Sequence, residues 1–351
     1  MKYLLLLLLL PSLACKSVSP PGKPVAAPAI SSIDTFLFAA SIRALEVVDE
    51  NTVWWAGSNG LVGHTNDGGK SWEADTLSYE GKVLQFRAIS VTSKAVFVLS
   101  IESPALLFKS TDQGQSWKVV YQEDHASAFY DAMQFWDDDN GIAMGDPTDG
   151  CISIIITKDG GENWTKLPCR QLPAAAEGEA AFAASNSNIA LYGDHAWIVT
   201  GGAKARILHS PDKGKNWSIS QSPIKEGGQM TGIYSVAFWD VNHGIIFGGD
   251  WNDKASNRQN KAVTSDGGKS WQLVADGTGP GFRSSVKYFP NGKGKAILAV
   301  GIPGISVSAD AGKNWTVLST ESWYAAGFVP GTNACWLAGH TKIGRVKWRE
   351  G

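Results

Sequence analysis

The octapeptide TNDGGKSW, residues 65–72, is polar, Gly-rich and closed by one Trp, and its frame returns five more times. STDQGQSW (110–117), TKDGGENW (157–164), SPDKGKNW (210–217), TSDGGKSW (264–271) and SADAGKNW (308–315) all read Ser or Thr, any residue, Asp, any residue, Gly, two residues, Trp. Each fixed position has a turn job. The Asp carboxylate can accept hydrogen bonds from nearby backbone N–H groups. The Gly takes a backbone conformation that side chains resist, and the Trp is an apolar plug whose indole N–H can find a partner. Apolar, β-prone runs stand on either side, such as Ile152-Ser153-Ile154-Ile155-Ile156 before the third copy and Lys118-Val119-Val120 after the second. The octapeptide is therefore the turn of a β-hairpin, a structural staple rather than a ligand site.

The six aspartates, Asp67, Asp112, Asp159, Asp212, Asp266 and Asp310, are spaced by 45, 47, 53, 54 and 44 residues. A period in the forties with strands between is the signature of propeller blades. In the first repeat the strands fall at 43–48, 52–56 and 61–64, with a fourth after the turn at 71–73. Further innermost strands begin near Arg87, Asp131, Phe182, Tyr234 and Arg283. A last group at 323–329, 334–338 and 343–348 lacks an outer strand, which residues 34–39 can supply. The expectation is an all-β, seven-bladed β-propeller over residues 34–351, closed by pairing its N-terminal strand with the C-terminal blade. Such closure removes the free edge that invites aggregation.

Composition agrees. The 351 residues include 39 Gly and 15 Trp, which suits short strands and tight turns. A formal charge of −2 gives no electrostatic footprint for nucleic acid. Lys2, the apolar run 4–10 and small residues up to Cys15 read as an export signal, too short to span a bilayer stably. Cys15 after Leu13-Ala14 resembles a lipoprotein cleavage site, although Ser12 stands where Leu is usual. Residues 1–15 are thus a lipoprotein-type signal peptide and the Pro-rich residues 16–33 a tether, placing the protein on a bacterial cell envelope, periplasmic or attached to the outer membrane. Cys151 and Cys169 flank the third octapeptide nearly opposite each other, and export favours a disulfide between them; Cys335 is expected to be a buried free thiol. No CxxC pair or clustered His points to a metal, and no Gly-rich loop between strand and helix points to a cofactor.

The octapeptides resemble Asp-boxes, or BNR repeats, of sialidases, sortilin-type receptors and photosystem II assembly-factor-like propellers. The first repeat, RALEVVDENTVWWAGSNGLVGHTNDGGKSW (43–72), resembles the photosystem II assembly-factor-like family in its inner strand, Trp-containing second strand, Gly turn and box. FWDDDNGIAMGD (135–146) and FWDVNHGIIFGGD (238–250) share the frame. This resemblance implies a non-enzymatic, monomeric binding or assembly platform that takes a protein segment or a small carboxylated ligand at its central mouth.

In a propeller the loops leading into inner strands and those between second and third strands open on one face, and the boxes lie on the other. Candidates on the first face are Arg43, Arg87, Asp131 beside Tyr130, Glu179, Tyr234, Arg283 and Tyr324, with Asn59, Glu102, Asp146, Asp250, Trp251 and His340 from the second set of loops. Three arginines at equivalent strand starts are a carboxylate-binding chemistry, because the guanidinium fork matches a carboxylate in two hydrogen bonds. The alternative is a glycoside hydrolase of sialidase type. There Arg43, Arg87 and Arg283 hold a sugar carboxylate, Tyr234 or Tyr324 is the nucleophile, Glu179 its base and Asp131 an acid/base. The two readings separate on whether a tyrosine hydroxyl reaches Glu179.

Overall fold

The computed structural model describes residues 28–349. The signal-peptide reading, Cys15 and tether residues 16–27 lie outside the described residues. Within them short antiparallel strands dominate, and the one helical element is a 3-10 turn at Cys169–Gln171. Second strands such as Val53–Gly57, Val96–Ser100 and Ile297–Gly301 are buried at every residue. They lie between two neighbouring blades and so read as continuous apolar runs rather than alternating ones. Outer strands are the opposite: Glu73–Thr76 is exposed throughout.

The boxes hold the hairpins shut and also join neighbouring blades. In the first, Thr65 Oγ1 donates to Asp67 Oδ1 at 2.9 Å and accepts the Gly69 N–H at 2.9 Å. Asp67 in turn accepts the Ser71 N–H at 2.9 Å and the Ser71 hydroxyl at 2.7 Å. The box glycine has two reasons to be glycine. Its φ is +87° at Gly69 and +74° at Gly161. A Cβ on Gly161 would also stand 2.3 Å from the ring of Phe97, and one on Gly69 2.8 Å from Trp336, aromatic residues of the preceding repeat. Four of the six box tryptophans donate their indole N–H to the glycine carbonyl of their own box, at 2.9–3.1 Å.

The strands gather into six blade-like sheets rather than seven separate blades. The reason is strand continuity. Ile30–Val47 runs unbroken, pairing first with Cys335–Trp348 and then, past an irregularity, with Val53–Gly57. The expected first and last blades are therefore one six-stranded sheet, ordered Ala325–Phe328, Cys335–Trp348, Ile30–Val47, Val53–Gly57, Leu61–Thr65, Glu73–Thr76. Its closing register sets Ile30 against Trp348, Asp34 against Arg345 and Phe36 against Ile343. Residues 30–33, expected in the tether, thus belong to the sheet. Phe36 and Phe38 bury against Trp72, Trp55 and Trp336, clamping the closure with aromatic area.

The fourth repeat departs from expectation in a way that shapes the interior. Its innermost strand is Ile189–Tyr192, not a strand from Phe182, and residues 181–188 cross the central channel without regular structure. Cys151 and Cys169 are bridged, their Cα atoms 5.5 Å apart, with Cys169 in the 3-10 turn beyond the short outer strand Thr165–Lys166. Cys335 is a buried free thiol.

Two expected outcomes follow from these contacts. Deleting residues 30–37 leaves the edge of Cys335–Trp348 open and exposes Trp72, so the truncated chain should melt at lower temperature and self-associate. Light scattering beside a thermal melt checks this, and a monomer with an unchanged melt would detach closure from stability. The second concerns acid. Asp67 and Asp112 are held at about 2, chiefly by the hydroxyls of Ser71 and Ser116, and Asp266 at about 2 by that of Ser270. A carboxyl lowered on folding stabilises fully above its ordinary value near 3.8, and that stability is lost as pH falls towards 2. The urea midpoint should stay level from neutral pH and drop below about 4. Asp112→Asn should lower the neutral midpoint and shrink the acid drop; a midpoint insensitive to both acid and substitution would contradict the box contribution.

Candidate binding site at the central mouth

Inner strands arrive at the mouth with a one-residue register shift. It falls between Ile42 and Ala44, Phe86 and Ala88, Tyr130 and Ala132, and Ile233 and Ser235. The residues left over are Arg43, Arg87, Asp131 and Tyr234. A β-bulge sets two residues against one and re-aims the extra side chain. Arg43, Arg87 and Tyr234 turn into a cavity of about 340 Å³, whose other walls include Phe129, Asp146, Met230 and Trp251. Asp131 is fully buried.

Residues 180–184 form the floor. Beneath them a polar seam seals the channel. Ser185 Oγ donates to the Ser284 carbonyl at 2.5 Å, and Asn186 donates to the Ile89 carbonyl at 2.8 Å while accepting the Met133 N–H at 2.9 Å. The crossing segment is thus tied to the second, third and sixth repeats at once. One wall is a rigid aromatic panel: Phe182 stacks on Tyr234 at 3.9 Å, and Phe282 meets the edges of Tyr234 and Trp251 at 4.6 and 5.6 Å.

The mouth is cationic and its cations are unbalanced. Arg43 lies 4.1 Å over the Tyr324 ring and 5.9 Å from that of Trp251, contacts that orient a guanidinium without neutralising it. Among the described residues neither Arg43 nor Arg87 has a carboxylate in ion-pair contact, and the Nε of each is buried with no partner. Burial lowers Arg87 to about 10, aided by the nearby positive charge of Arg43, so it remains charged at neutral pH. The neighbouring acids do not compensate. Both oxygens of Asp131 are buried without a partner, and burial together with Asp146 pushes its carboxyl well above the ordinary range. Burial also raises Asp146, although it accepts the Ala181 N–H at 2.7 Å. Burial thus pushes both acids towards their neutral forms, while Arg87 stays cationic beside them.

The other candidates are dispersed. Arg283 is 2% exposed and committed, donating to the Phe282 carbonyl and to Ser306 Oγ at 2.8 Å each, so it stands behind the mouth rather than in it. Tyr130 is buried against Tyr121 in the core between the second and third repeats. Asp250 is paired with Lys225 at 2.9 Å, while exposed His340 and Glu102 do not line the cavity. Asn59 donates to the Ala39 carbonyl at 3.1 Å. Glu179 is held by Arg206, by Thr200 at 2.6 Å and by the Ala176 N–H at 2.8 Å, with no tyrosine among its partners. Tyr234 instead donates to the Met230 carbonyl at 2.9 Å. The sialidase constellation is not assembled. Sequence reasoning missed Met230, Phe129 and the floor; the Ala-rich run at 180–184, followed by Ser185-Asn186-Ser187-Asn188 where an apolar strand was expected, was the available signal. A larger cavity, about 630 Å³, opens on the box face beside Trp239, Tyr288 and exposed Lys293, Lys295 and Lys313, but it gathers no buried charge.

Fold and mouth together define an Asp-box β-propeller with an arginine-bearing, aromatic-walled cavity at its central mouth. The chain belongs to the family described as photosynthesis system II assembly factor YCF48, which it matches over residues 35–128 and 122–229, more than half its length. It is 24% identical over 251 residues to the photosystem II assembly lipoprotein Ycf48 of Synechococcus sp. (strain CC9902), covering 62% of this chain and 70% of that one. Two solved structures share the fold. One is YCF48 bound to D1 peptide, with TM-score 0.66 and 16% identity over 92% of this chain and 99% of that one. The other is YCF48 from Cyanidioschyzon merolae, with TM-score 0.63 and 15% identity over 92% and 98%.

The three arginines should separate on substitution. Arg283→Ala strands the Phe282 carbonyl and Ser306 hydroxyl in the core and should cost about 1–3 kcal/mol. Arg43→Ala and Arg87→Ala break no hydrogen bond or ion pair among the described residues and should destabilise less than Arg283→Ala. Denaturant titration of the three variants checks the order, and equal losses in all three would make the arginines structural alike.

Proposed function

We propose that this propeller is a non-enzymatic binding platform whose central mouth takes a carboxylate-bearing segment of another protein. The observation that carries the reading is the pair Arg43 and Arg87, charged, partly desolvated and, among the described residues, without a carboxylate in ion-pair contact. A bound carboxylate supplies the missing partner, and the panel of Phe182, Tyr234 and Trp251 offers apolar area to the residue beside it. Membership of the assembly-factor family supports an assembly role, and the peptide seen on a related propeller supports a protein segment as ligand. The pattern of residues 1–15, with a relative described as a lipoprotein, supports tethering to a bacterial envelope through Cys15. The protein then acts as a monomer held near its membrane-associated partners.

The test is capture from envelope extract by the immobilised propeller, followed by titration of synthetic peptides from whatever is captured. Wild type should bind an acidic peptide, and Arg43→Ala or Arg87→Ala should weaken it by about 2–5 kcal/mol, the loss expected when a desolvated charge pair is broken. Neutralising the peptide carboxylate should cost a similar amount. Binding that survives both arginine substitutions would move the ligand away from the mouth.

A further inference from the structure

The channel has a second mouth on the face of the boxes, sealed from the first by Ser185 and Asn186. Leaving aside the fourth repeat, whose Leu191 stands opposite Ala196, each inner strand presents here the residue paired with the second residue of its neighbour strand. These are Glu46 opposite Trp54, Ser90 opposite Phe97, Gln134 opposite Ile142, Ala237 opposite Ile245, Lys287 opposite Leu298 and Gly327 opposite Trp336. The positions are equivalent by register, yet the side chains differ in kind. One is a carboxylate, one an ammonium, one an amide, and one is absent. Glu46, Gln134, Lys287 and Gly327 line a single cavity of about 250 Å³, with Ser185 and Asn186 as its inner end.

The two charges face this cavity without meeting. Glu46 and Lys287 have no hydrogen bond or ion pair among the described residues, although each feels the other's charge. Gly327, on the inner strand between their repeats, adds no side chain to the cavity, and a Cβ there would stand 2.7 Å from Val47. Burial drives the Glu46 carboxyl up to about 7, and burial lowers the Lys287 ammonium. Two half-buried opposite charges that line one cavity unbonded leave each without a partner of its own chain among the described residues.

We infer that this second mouth is a binding site for a small zwitterion, its ammonium set on the Glu46 carboxylate and its carboxylate on the Lys287 ammonium. The polar Gln134 and Ser185 supply further hydrogen-bond partners. At roughly 30 Å³ per water the cavity holds about eight waters, which limits the ligand to a few heavy atoms. It is smaller than the usual range for drug-sized ligands, about 300–1,000 Å³. This site uses none of the residues of the arginine mouth, so the two stand or fall separately.

Titration calorimetry of the full chain with glycine, β-alanine and 4-aminobutyrate, zwitterions of increasing charge separation, tests it, with butyrate and butylamine as single-charge controls. One zwitterion should saturate the site roughly thirty-fold more tightly than either control. Glu46→Gln and Lys287→Met, each confirmed folded by its melt, should weaken that binding by roughly thirty-fold. The wild-type comparison decides the matter even where a variant fails to fold. No saturable heat from any of the three zwitterions up to about 50 mM, or equal binding of zwitterion and controls, overturns the assignment and leaves a water-bridged ion pair.

Discussion

The contact between each box glycine and the preceding repeat is the constraint on which the ring depends. Gly69 lies on Trp336, Gly114 on Trp54, Gly161 on Phe97 and Gly268 on Trp197. The glycine reaches these rings only because the box holds it at positive φ, and the box holds because one hydroxyl bridges Asp and Gly. In all six copies the Ser or Thr donates to the Asp at 2.8–3.0 Å. A local turn motif therefore sets a long-range relation, the spacing and tilt of one blade against the next. Because that work is done on the box face, the opposite rim is free of turn duties and can carry bulges.

The bulges turn architecture into chemistry. One shifted residue at the same height in several inner strands gives a ring of re-aimed side chains: Arg43, Arg87, Asp131 and Tyr234. Their fates differ with their neighbours. Arg87 stays charged, whereas Asp131, fully buried beside Asp146, is pushed towards its neutral form. Burial acts on both groups against charge, but the guanidinium starts so far from neutrality that a shift to about 10 leaves it cationic. The mouth is biased towards positive charge for that reason, and not because acids are missing from it.

The boxes, their period and the flanking strands were legible in the sequence, since turn chemistry needs particular residues at particular offsets. Closure through residues 34–39 was also legible, because the last repeat lacked an outer strand. The sheet count was not: whether a strand bends from one blade into the next depends on backbone continuity at residues 38–41, where no sequence signal stands. The site was half legible. Strand starts were found from the repeat frame, which gave Arg43, Arg87 and Tyr234. The frame could not say that Arg283 would be enclosed by Phe282 and Ser306, or that Glu179 would meet Arg206, a residue 27 positions away. Pairing across the chain decides between a ligand-facing charge and a structural one, and periodicity carries no information about pairing.

The crossing segment is the feature that gives the two ends of the channel separate characters. An open channel would let water and ions join the arginine mouth to the Glu46–Lys287 mouth, and their fields would merge. Residues 185–187 prevent this with bonds to three different repeats, so the seam cannot shift without breaking several at once. The arrangement carries a visible cost, since the side chain of Asn188 is buried with neither its oxygen nor its nitrogen bonded. A chain selected for packing alone would place an apolar inner strand there, as the other repeats do. Keeping a polar crossing at that cost is what isolates a cationic, aromatic mouth on one face from a small mixed-charge cavity on the other.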